Sequence, residues 1–153
     1  MTSSSTSRSW KGSGMKASRF LIDTSAWIGA LRKDGHPQVK ARVADLLEHQ
    51  EVYTCGMIKL ALLGGTRSEE EFSRLRARLS AFASIPSDED LWEAASKMAF
   101  RLRRTGLTIP ATDVLIAESA RRAEATLLHV DRHFDLLAPH IDLQVESLVE
   151  MVQ

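Results

Sequence analysis

Cysteine and long hydrophobic runs are scarce in this chain of 153 residues. The single cysteine, Cys55, excludes an internal disulfide, and the apolar segment around it predicts a small buried side chain rather than a catalytic thiol. No apolar stretch approaches the roughly 20 residues that span a bilayer, and the N-terminal region lacks the hydrophobic segment of a secretory signal. We therefore expect a cytoplasmic protein without membrane contacts.

An excess of charge of either sign is also absent, because 20 basic residues balance 20 acidic ones. Residues 1–14, rich in Ser, Thr and Gly, precede a second methionine at Met15, and we interpret them as an expression tag or a disordered leader. Without that segment the chain loses Arg8 and Lys11 and becomes slightly acidic. Any contact with nucleic acid must therefore come from local basic clusters and not from the overall field of the molecule.

What the chain does contain is the composition of a globular domain, with 44% hydrophobic and 26% charged residues. Short apolar runs alternate with longer segments of helical period, which predicts an α/β domain with a central, mainly parallel sheet flanked by helices. We expect residues 15–153 to form this single domain. The predicted strands cover residues 19–22, 51–54, 126–130 and 143–145. The predicted helices cover residues 25–34, 39–49, 57–63, 68–82, 88–105, 110–122 and 132–137.

Acidic residues stand where predicted strands end and helices begin. Asp23 and Asp131 each follow an apolar strand, and ligands of open parallel sheets bind at that carboxyl edge. Asp113 lies in the first turn after Pro110, where the helix dipole favours a carboxylate. Asp135 follows Asp131 by one helical turn and can reach the same cluster. Because clustered carboxylates repel one another unless a cation neutralises them, the sequence predicts a site for Mg²⁺ or Mn²⁺.

Each of these residues also has a structural interpretation. An aspartate after a strand, such as Asp23, is often a helix cap or turn residue. Asp113 can be an ordinary first-turn acid, and Asp135 can be a surface charge. His129 and His133 have the i, i+4 spacing of a zinc pair, but they straddle a strand and a turn and not one helix. We therefore interpret both histidines as structural.

Four motifs, in this order, resemble those of a PIN domain. They are Leu-Ile-Asp-Thr-Ser-Ala-Trp, Leu-x-Leu-Leu-Gly-Gly-Thr-Arg, Ile-Pro-Ala-Thr-Asp-Val-Leu-Ile-Ala and Leu-Leu-His-Val-Asp-Arg-His-Phe-Asp. Together they extend from about residue 20 to residue 137, which is essentially the whole body of the chain. More specifically, the chain is similar to the VapC ribonuclease toxins of bacterial toxin–antitoxin pairs. Four ordered motifs are far more specific than any one of them.

The resemblance implies a three-layer PIN fold and metal-dependent hydrolysis of RNA phosphodiester bonds by an endoribonuclease that holds Mg²⁺ or Mn²⁺. It also implies a cognate VapB-like antitoxin and a homodimer. By motif, the metal-binding residues are Asp23, Asp113 and Asp131, with Asp135 as an accessory member. Residues that orient these aspartates or a bound water are Thr24, Ser25 and Thr112, although a helix cap explains Thr112 as well.

The chain departs from the family pattern at Ala61. The family typically has a glutamate at this point of the helix that precedes Gly64 and Gly65, and an alignment on Lys59 loses the spacing to those glycines. Alanine supplies no ligand oxygen, so we expect weaker metal binding and hydrolysis slowed by orders of magnitude. The chain is then a catalytic variant disabled by a Glu→Ala change, either engineered or natural.

Candidate RNA contacts are arginines on helices, for which a solvated helix face is the alternative interpretation. They are Arg101, Arg103, Arg104, Arg121 and Arg122. Two other functions stay open. One is an inactive PIN-fold module that binds antitoxin or RNA, which Ala61 favours and the three aspartates oppose. The other is phosphotransfer through Asp23 as nucleophile, which requires an acidic residue where Ser25 stands.

Overall fold

The fold is that of a computed structural model, which is described for residues 18–152. The predicted tag or leader, residues 1–14, lies outside the described residues. Between residues 18 and 152, no helix combines the length and the apolar character needed to cross a membrane. Cys55 is buried, as the apolar segment around it predicts.

A five-stranded sheet forms the central layer, and every neighbouring pair of its strands is parallel. The strand order is β3-β2-β1-β4-β5. The strands are β1 (Arg19–Ile22), β2 (Glu51–Cys55), β3 (Ala83–Ile85), β4 (Thr126–His129) and β5 (Val145–Ser147). In the central strand, Leu21 lies opposite Tyr53 of β2 on one side and Leu127 of β4 on the other. This arrangement confirms the predicted parallel sheet.

Helices flank the sheet, and several begin at polar residues whose side chains accept a backbone N–H of the first turn. Asp23, Ser68, Asp88 and Asp131 all cap helices in this way. The helices are α1 (Thr24–Leu31), α2 (Pro37–His49), α3 (Gly56–Gly64), α4 (Glu69–Leu79), α5 (Glu89–Arg104), α6 (Ala111–Arg122) and α7 (Arg132–Leu137). Short 3-10 helices follow at Ala138–His140 and Val149–Val152.

The hydrophobic core includes the middle strand β1 and its neighbour β4. Leu21 and Ile22 of β1 and Leu127 and Leu128 of β4 are fully buried. Strands covered by helices on both faces have continuous apolar sequences, since neither face meets water. This is why these two strands are evident as short apolar runs in the sequence.

The edges of the sheet differ from the prediction. Strand β3 was not predicted, because it has three residues and its first two, Ala83 and Ser84, are exposed. Helix α4 ends at Leu79, three residues before the predicted end, and the chain then turns into β3. The last strand occupies Val145–Ser147, two residues later than predicted. Edge strands pair on one side only, so their sequences carry a weaker pattern than central strands.

Candidate metal centre

The predicted acidic residues surround the carboxyl edge of β1 and β4. These strands are parallel neighbours, so their carboxyl ends coincide, and the backbone N–H of Asp23 donates to Leu128 O at 2.9 Å. Asp131 lies two residues after the end of β4 and caps α7. Asp113 reaches the same place from the first turn of α6. The topology therefore joins three segments that are far apart in sequence.

Asp23 is the most buried of these acidic residues, with 3% of its surface exposed. Its Oδ2 accepts from the backbone N of Ser25 at 2.9 Å and from Ser25 Oγ at 2.5 Å. Burial raises the pKa of Asp23, the hydrogen bonds from Ser25 oppose that rise, and the charge of Asp113 adds to it. The carboxylate is therefore held firmly in a place that disfavours its own negative charge.

Asp113, Asp131 and His133 form a compact group in which one ligand atom from each residue lies within 4.8 Å of the others. His133 Nδ1 lies 2.9 Å from Asp113 Oδ2 and 3.3 Å from Asp131 Oδ1. Asp131 Oδ1 also accepts from the backbone N of His133 at 2.9 Å. Burial raises the pKa of Asp113, His133 lowers it, and the charge of Asp131 raises it further.

These residues fit a divalent cation. Carboxylate oxygens are the preferred ligands of Mg²⁺ and Mn²⁺. The interaction between the charges of Asp23 and Asp113 raises the pKa of Asp23, so the two carboxylates repel each other. A cation between the acidic residues would relieve that repulsion.

His133, the third member of this group, is a residue for which the sequence predicted a structural role. Its side chain is 43% exposed, and its ring contacts both Asp113 and Asp131. The contact of His133 with Asp131 could have been predicted from the sequence. A residue two positions after an N-cap aspartate lies in the first turn of the helix, next to the cap. His129, by contrast, is fully buried, and burial lowers the pKa of its imidazole.

Asp135 does not belong to the three-residue group found within residues 18–152. Its Oδ2 accepts from Ser147 Oγ at 2.9 Å, and its Oδ1 lies 3.3 Å from His129 Nε2. Both contacts are with side chains from strands β4 and β5. The carboxylate of Asp135 therefore contacts β4 and β5 of the sheet and does not join the group of Asp113, Asp131 and His133.

The predicted supporting residues have different environments. Ser25 contacts Asp23 directly, whereas Thr24 Oγ1 is buried without a hydrogen-bond partner among the described residues. Thr112 is exposed, and the helix-cap explanation for it is wrong, because Pro110 occupies the N-cap position of α6 without a side-chain cap bond. Proline fixes the entry into the helix by its own backbone geometry, so no hydroxyl cap is required.

Ala61 is exposed on α3, which begins immediately after β2 at the same edge of the sheet. Helix α3 packs against α1, which Asp23 caps, and against α6, which contains Asp113. The alanine side chain offers no ligand atom there.

The five predicted RNA-contacting arginines occupy different environments. Arg101 and Arg121 line a cavity of about 320 Å³, in which Arg121 forms two hydrogen bonds to the buried carboxylate of Glu118. Arg122 donates to Asp88 at 3.1 Å, and the Arg104 guanidinium lies 5.4 Å from the centre of the Phe100 ring.

Arg103 lines a hollow of about 350 Å³ together with Ala111 and Val114, which lie on either side of Asp113 in α6. Arg103 therefore lies beside the segment of α6 that carries Asp113, a predicted metal ligand.

Comparison with known sequences shows the family. The sequence model of the PIN domain matches residues 20–138. Ribonuclease VapC11 from Mycobacterium tuberculosis is 31% identical over 131 residues, which cover 84% of this chain and 98% of the relative. Ribonuclease VapC51 from the same organism is 32% identical over 126 residues, which cover 80% of this chain and 87% of the relative.

Comparison with solved structures shows the same fold. VapBC2 from Rickettsia felis, bound to a DNA fragment from its promoter, has a TM-score of 0.67 at 19% identity, covering 84% of this chain and 98% of that chain. VapBC-1 from nontypeable Haemophilus influenzae has a TM-score of 0.67 at 21% identity, covering 86% and 98%. The three-layer PIN fold is thereby confirmed. The chain belongs to the PIN-domain family, in the group of the VapC ribonucleases.

Proposed function

We propose that this chain is the endoribonuclease toxin of a toxin–antitoxin pair and that Ala61 reduces its activity. The observation that carries the proposal is the close approach of Asp113, Asp131 and His133, whose ligand atoms lie within 4.8 Å of one another. Asp23 lies outside that three-residue group but is near enough for the charge of Asp113 to raise its pKa. The relatives named as VapC ribonucleases support RNA as the substrate.

We assign the metal ligands to Asp23, Asp113 and Asp131, with Mg²⁺ or Mn²⁺ as the ion. A bound ion would supply a more acidic water nucleophile and a counter-charge for the phosphate. Ser25 holds Asp23 through two hydrogen bonds to Oδ2, and the Asp131 side chain is held by the backbone N–H of His133. We assign Asp135 an accessory role outside the direct ligand set.

The missing carboxylate at Ala61 explains why this form would be impaired. A glutamate there would add a fourth acidic side chain on α3, the helix that packs against both α1 and α6. Loss of one catalytic carboxylate commonly lowers turnover by several orders of magnitude. The inactive binding module is the second candidate function, and Ala61 is the observation that favours it.

RNA contacts are assigned first to Arg103, because the hollow that it lines includes residues on both sides of Asp113. Arg121 and Arg122 are less suited, since Glu118 and Asp88 already neutralise them. An arginine without a carboxylate partner can bind a phosphate group with less rearrangement.

Protein partners are assigned to the outer surface of α5. Its apolar stripe, including Leu91 and Met98, is core, whereas Trp92 is 51% exposed and Phe100 is 63% exposed. Exposed aromatic side chains of this size are typical of protein interfaces. We propose that they contribute to a homodimer and that a VapB-like antitoxin binds the toxin near its metal centre. Analytical ultracentrifugation of Phe100→Ser beside the parent chain tests the first assignment.

The decisive experiment compares the parent chain with Ala61→Glu and with Ala61→Gln, an uncharged control of the same shape. Cleavage of total cellular RNA is measured with Mg²⁺, with Mn²⁺ and with EDTA. We expect metal-dependent cleavage by the glutamate form that exceeds that of the other two by at least about a hundredfold.

Two results would contradict the proposal. Equal activity of the glutamate and glutamine forms would show that no carboxylate is needed at this position. If the glutamate form folds and binds Mn²⁺ but neither cleaves RNA nor differs from the parent, the binding module becomes the better assignment.

A further inference from the structure

We propose that His129 is a positioning residue for Asp131 and that Asp135 and Ser147 hold the His129 imidazole in place. The inference rests on the proposed function, because it gives Asp131 the role of a metal ligand. It goes further because it assigns His129, Asp135 and Ser147 to the orientation of that ligand. It also replaces the expected direct role of Asp135 with an indirect one.

The first contact is between His129 and the backbone of Asp131. His129 is the last residue of β4, and none of its surface is exposed. Its Nδ1 accepts from the backbone N of Asp131 at 3.1 Å. A ring nitrogen that accepts a hydrogen bond carries no proton, so the proton of the neutral imidazole is on Nε2. The geometry therefore assigns a single tautomer to His129.

The second contact is on the other side of the ring. Nε2 lies 3.3 Å from Asp135 Oδ1, although this contact lacks hydrogen-bond geometry. The carboxylate of Asp135 is held by Ser147 Oγ, which donates to its Oδ2 at 2.9 Å. Ser147 is the register partner of His129 on β5. The proton-bearing nitrogen thus faces a carboxylate that is fixed to the neighbouring strand.

Packing fixes the ring plane as well. The centres of the His129 and Phe134 rings are 5.2 Å apart, and Phe134 is fully buried in α7. The imidazole therefore lies between two residues of α7, Phe134 and Asp135, and Ser147 of β5 holds the Asp135 carboxylate. Such a ring can act as a rigid support for the loop that follows its own strand.

Two hydrogen bonds fix the turn at Asp131 and thereby the position of its carboxylate. Its backbone N is held by His129, while its Oδ1 accepts from the backbone N of His133. If the first bond is lost, the Asp131 peptide can rotate, and both its carboxylate and the neighbouring His133 ring can leave the position that faces Asp113. Loss of a residue that orients a metal ligand typically weakens metal binding 10- to 100-fold.

A matched pair of substitutions separates positioning from packing. In His129→Asn, the side-chain carbonyl can accept from the Asp131 N–H near the position of Nδ1. In His129→Gln, the amide reaches the position of Nε2, and the acceptor near Asp131 is lost. Both variants place an amide in the same buried space, so a purely structural role predicts similar effects for both.

The readout is Mn²⁺ affinity without RNA, measured by calorimetry on the complete chain, beside unfolding in EDTA. We expect His129→Asn to remain within about threefold of the parent and His129→Gln to lose roughly tenfold or more. Asp135→Asn should lose less affinity than Asp131→Asn. The proposal is overturned if the glutamine form matches the parent, or if Asp135→Asn loses as much as Asp131→Asn.

A second measurement does not depend on the folding of a variant. Nitrogen-15 spectra of the imidazole rings in the metal-free parent distinguish the two tautomers. We expect His129 to carry its proton on Nε2, and a proton on Nδ1 would overturn the proposal.

If neither the parent nor Ala61→Glu binds Mn²⁺, the proposed metal centre fails. An Nε2 proton in that case would keep the contact between His129 and Asp131 but would remove the role of His129 in metal binding.

Discussion

Ser25 and Val130, which are 105 positions apart in the sequence, are joined by a hydrogen bond of 2.9 Å from the backbone N of Val130 to Ser25 Oγ. The same hydroxyl donates to Asp23 Oδ2. One side chain therefore links the segment after β1 to the segment after β4. This link connects the segments that carry Asp23 and Asp131, the acidic residues that follow β1 and β4.

Replacement of Ser25 by alanine should therefore weaken both the fold and the metal centre. The variant leaves the Val130 N–H without its acceptor and removes a donor from Asp23, so we expect a loss of about 1–2 kcal/mol in the free energy of unfolding. Thr24→Ala is the control, because Thr24 Oγ1 has no hydrogen-bond partner among the described residues. Urea unfolding in EDTA measures both. Equal losses in the two variants would contradict the assigned role of Ser25.

Replacement of Asp23 by asparagine should change how stability depends on pH. Burial raises the pKa of Asp23 above its ordinary value of 3.8, so the metal-free fold prefers the protonated acid. The stability contributed by that proton is present below pH 3.8 and is lost as the pH rises through the folded-state pKa. Asparagine stays neutral and keeps a good helix cap.

Relative to the parent, Asp23→Asn should therefore become more stable as the pH rises, until the difference levels off above the folded-state pKa. Thermal unfolding in EDTA across the acidic and neutral range measures this difference. The same variant should bind Mn²⁺ much more weakly than the parent. A stability difference that shrinks with rising pH would show that the carboxylate is stabilised, and not penalised, by its surroundings.

Arg121 and Arg101 line the same cavity but should respond differently to alanine substitution. Arg121 forms two hydrogen bonds to Glu118, whose side chain is 2% exposed, so Arg121→Ala leaves a buried carboxylate with a weaker partner, Arg122, at 4.0 Å. We expect a loss of about 1–2 kcal/mol, allowing for the partial exposure of Arg121. Arg101→Ala should change stability by less than about 0.5 kcal/mol. Urea unfolding of the two variants provides the measurement, and a stable Arg121→Ala form would remove the structural role of this pair.

Gly35, in the loop between α1 and α2, should not tolerate a side chain. A Cβ atom at this position would lie 2.0 Å from the backbone O of Gly29, and a backbone atom cannot give way as a flexible side chain can. We expect Gly35→Ala to destabilise the domain by at least about 2 kcal/mol. At Gly64, the last residue of α3, a Cβ meets nothing within 4 Å, so Gly64→Ala should be neutral or slightly stabilising. Thermal unfolding compares the two, and a neutral Gly35→Ala would show that the α1–α2 loop can move.

The sequence was most informative where a segment is buried on both faces. Strands β1 and β4 were predicted within one residue of their observed ends, because their apolar runs are needed whatever the rest of the chain does. Asp23 and Asp131 were placed at the carboxyl ends of those strands for the same reason. Strand β3 was missed, since its exposed edge residues carry no pattern that separates a strand from a loop.

The contacts between side chains were harder to predict from the sequence than the strands and helices. The spacing of Asp131 and Asp135 predicted a shared face, but Asp135 contacts Ser147, which comes from another strand. His133 and His129 are only four positions apart in sequence, yet His133 contacts Asp113 and His129 is fully buried. Only the packing of β5 and α6 around α7 distinguishes them.

By itself, the sequence determined the parallel α/β architecture, the family and the positions of three acidic residues, because periodicity and motif order are local properties of the chain. Tertiary structure decided which groups meet those acidic residues: the bond from Val130 to Ser25, the contacts of His133 with Asp113, and the support of Asp131 by His129. These contacts depend on distances between segments that the chain brings together only when the sheet and helices pack. Interactions over a few ångströms cannot be inferred from spacing along the chain, since strand order and helix placement determine them.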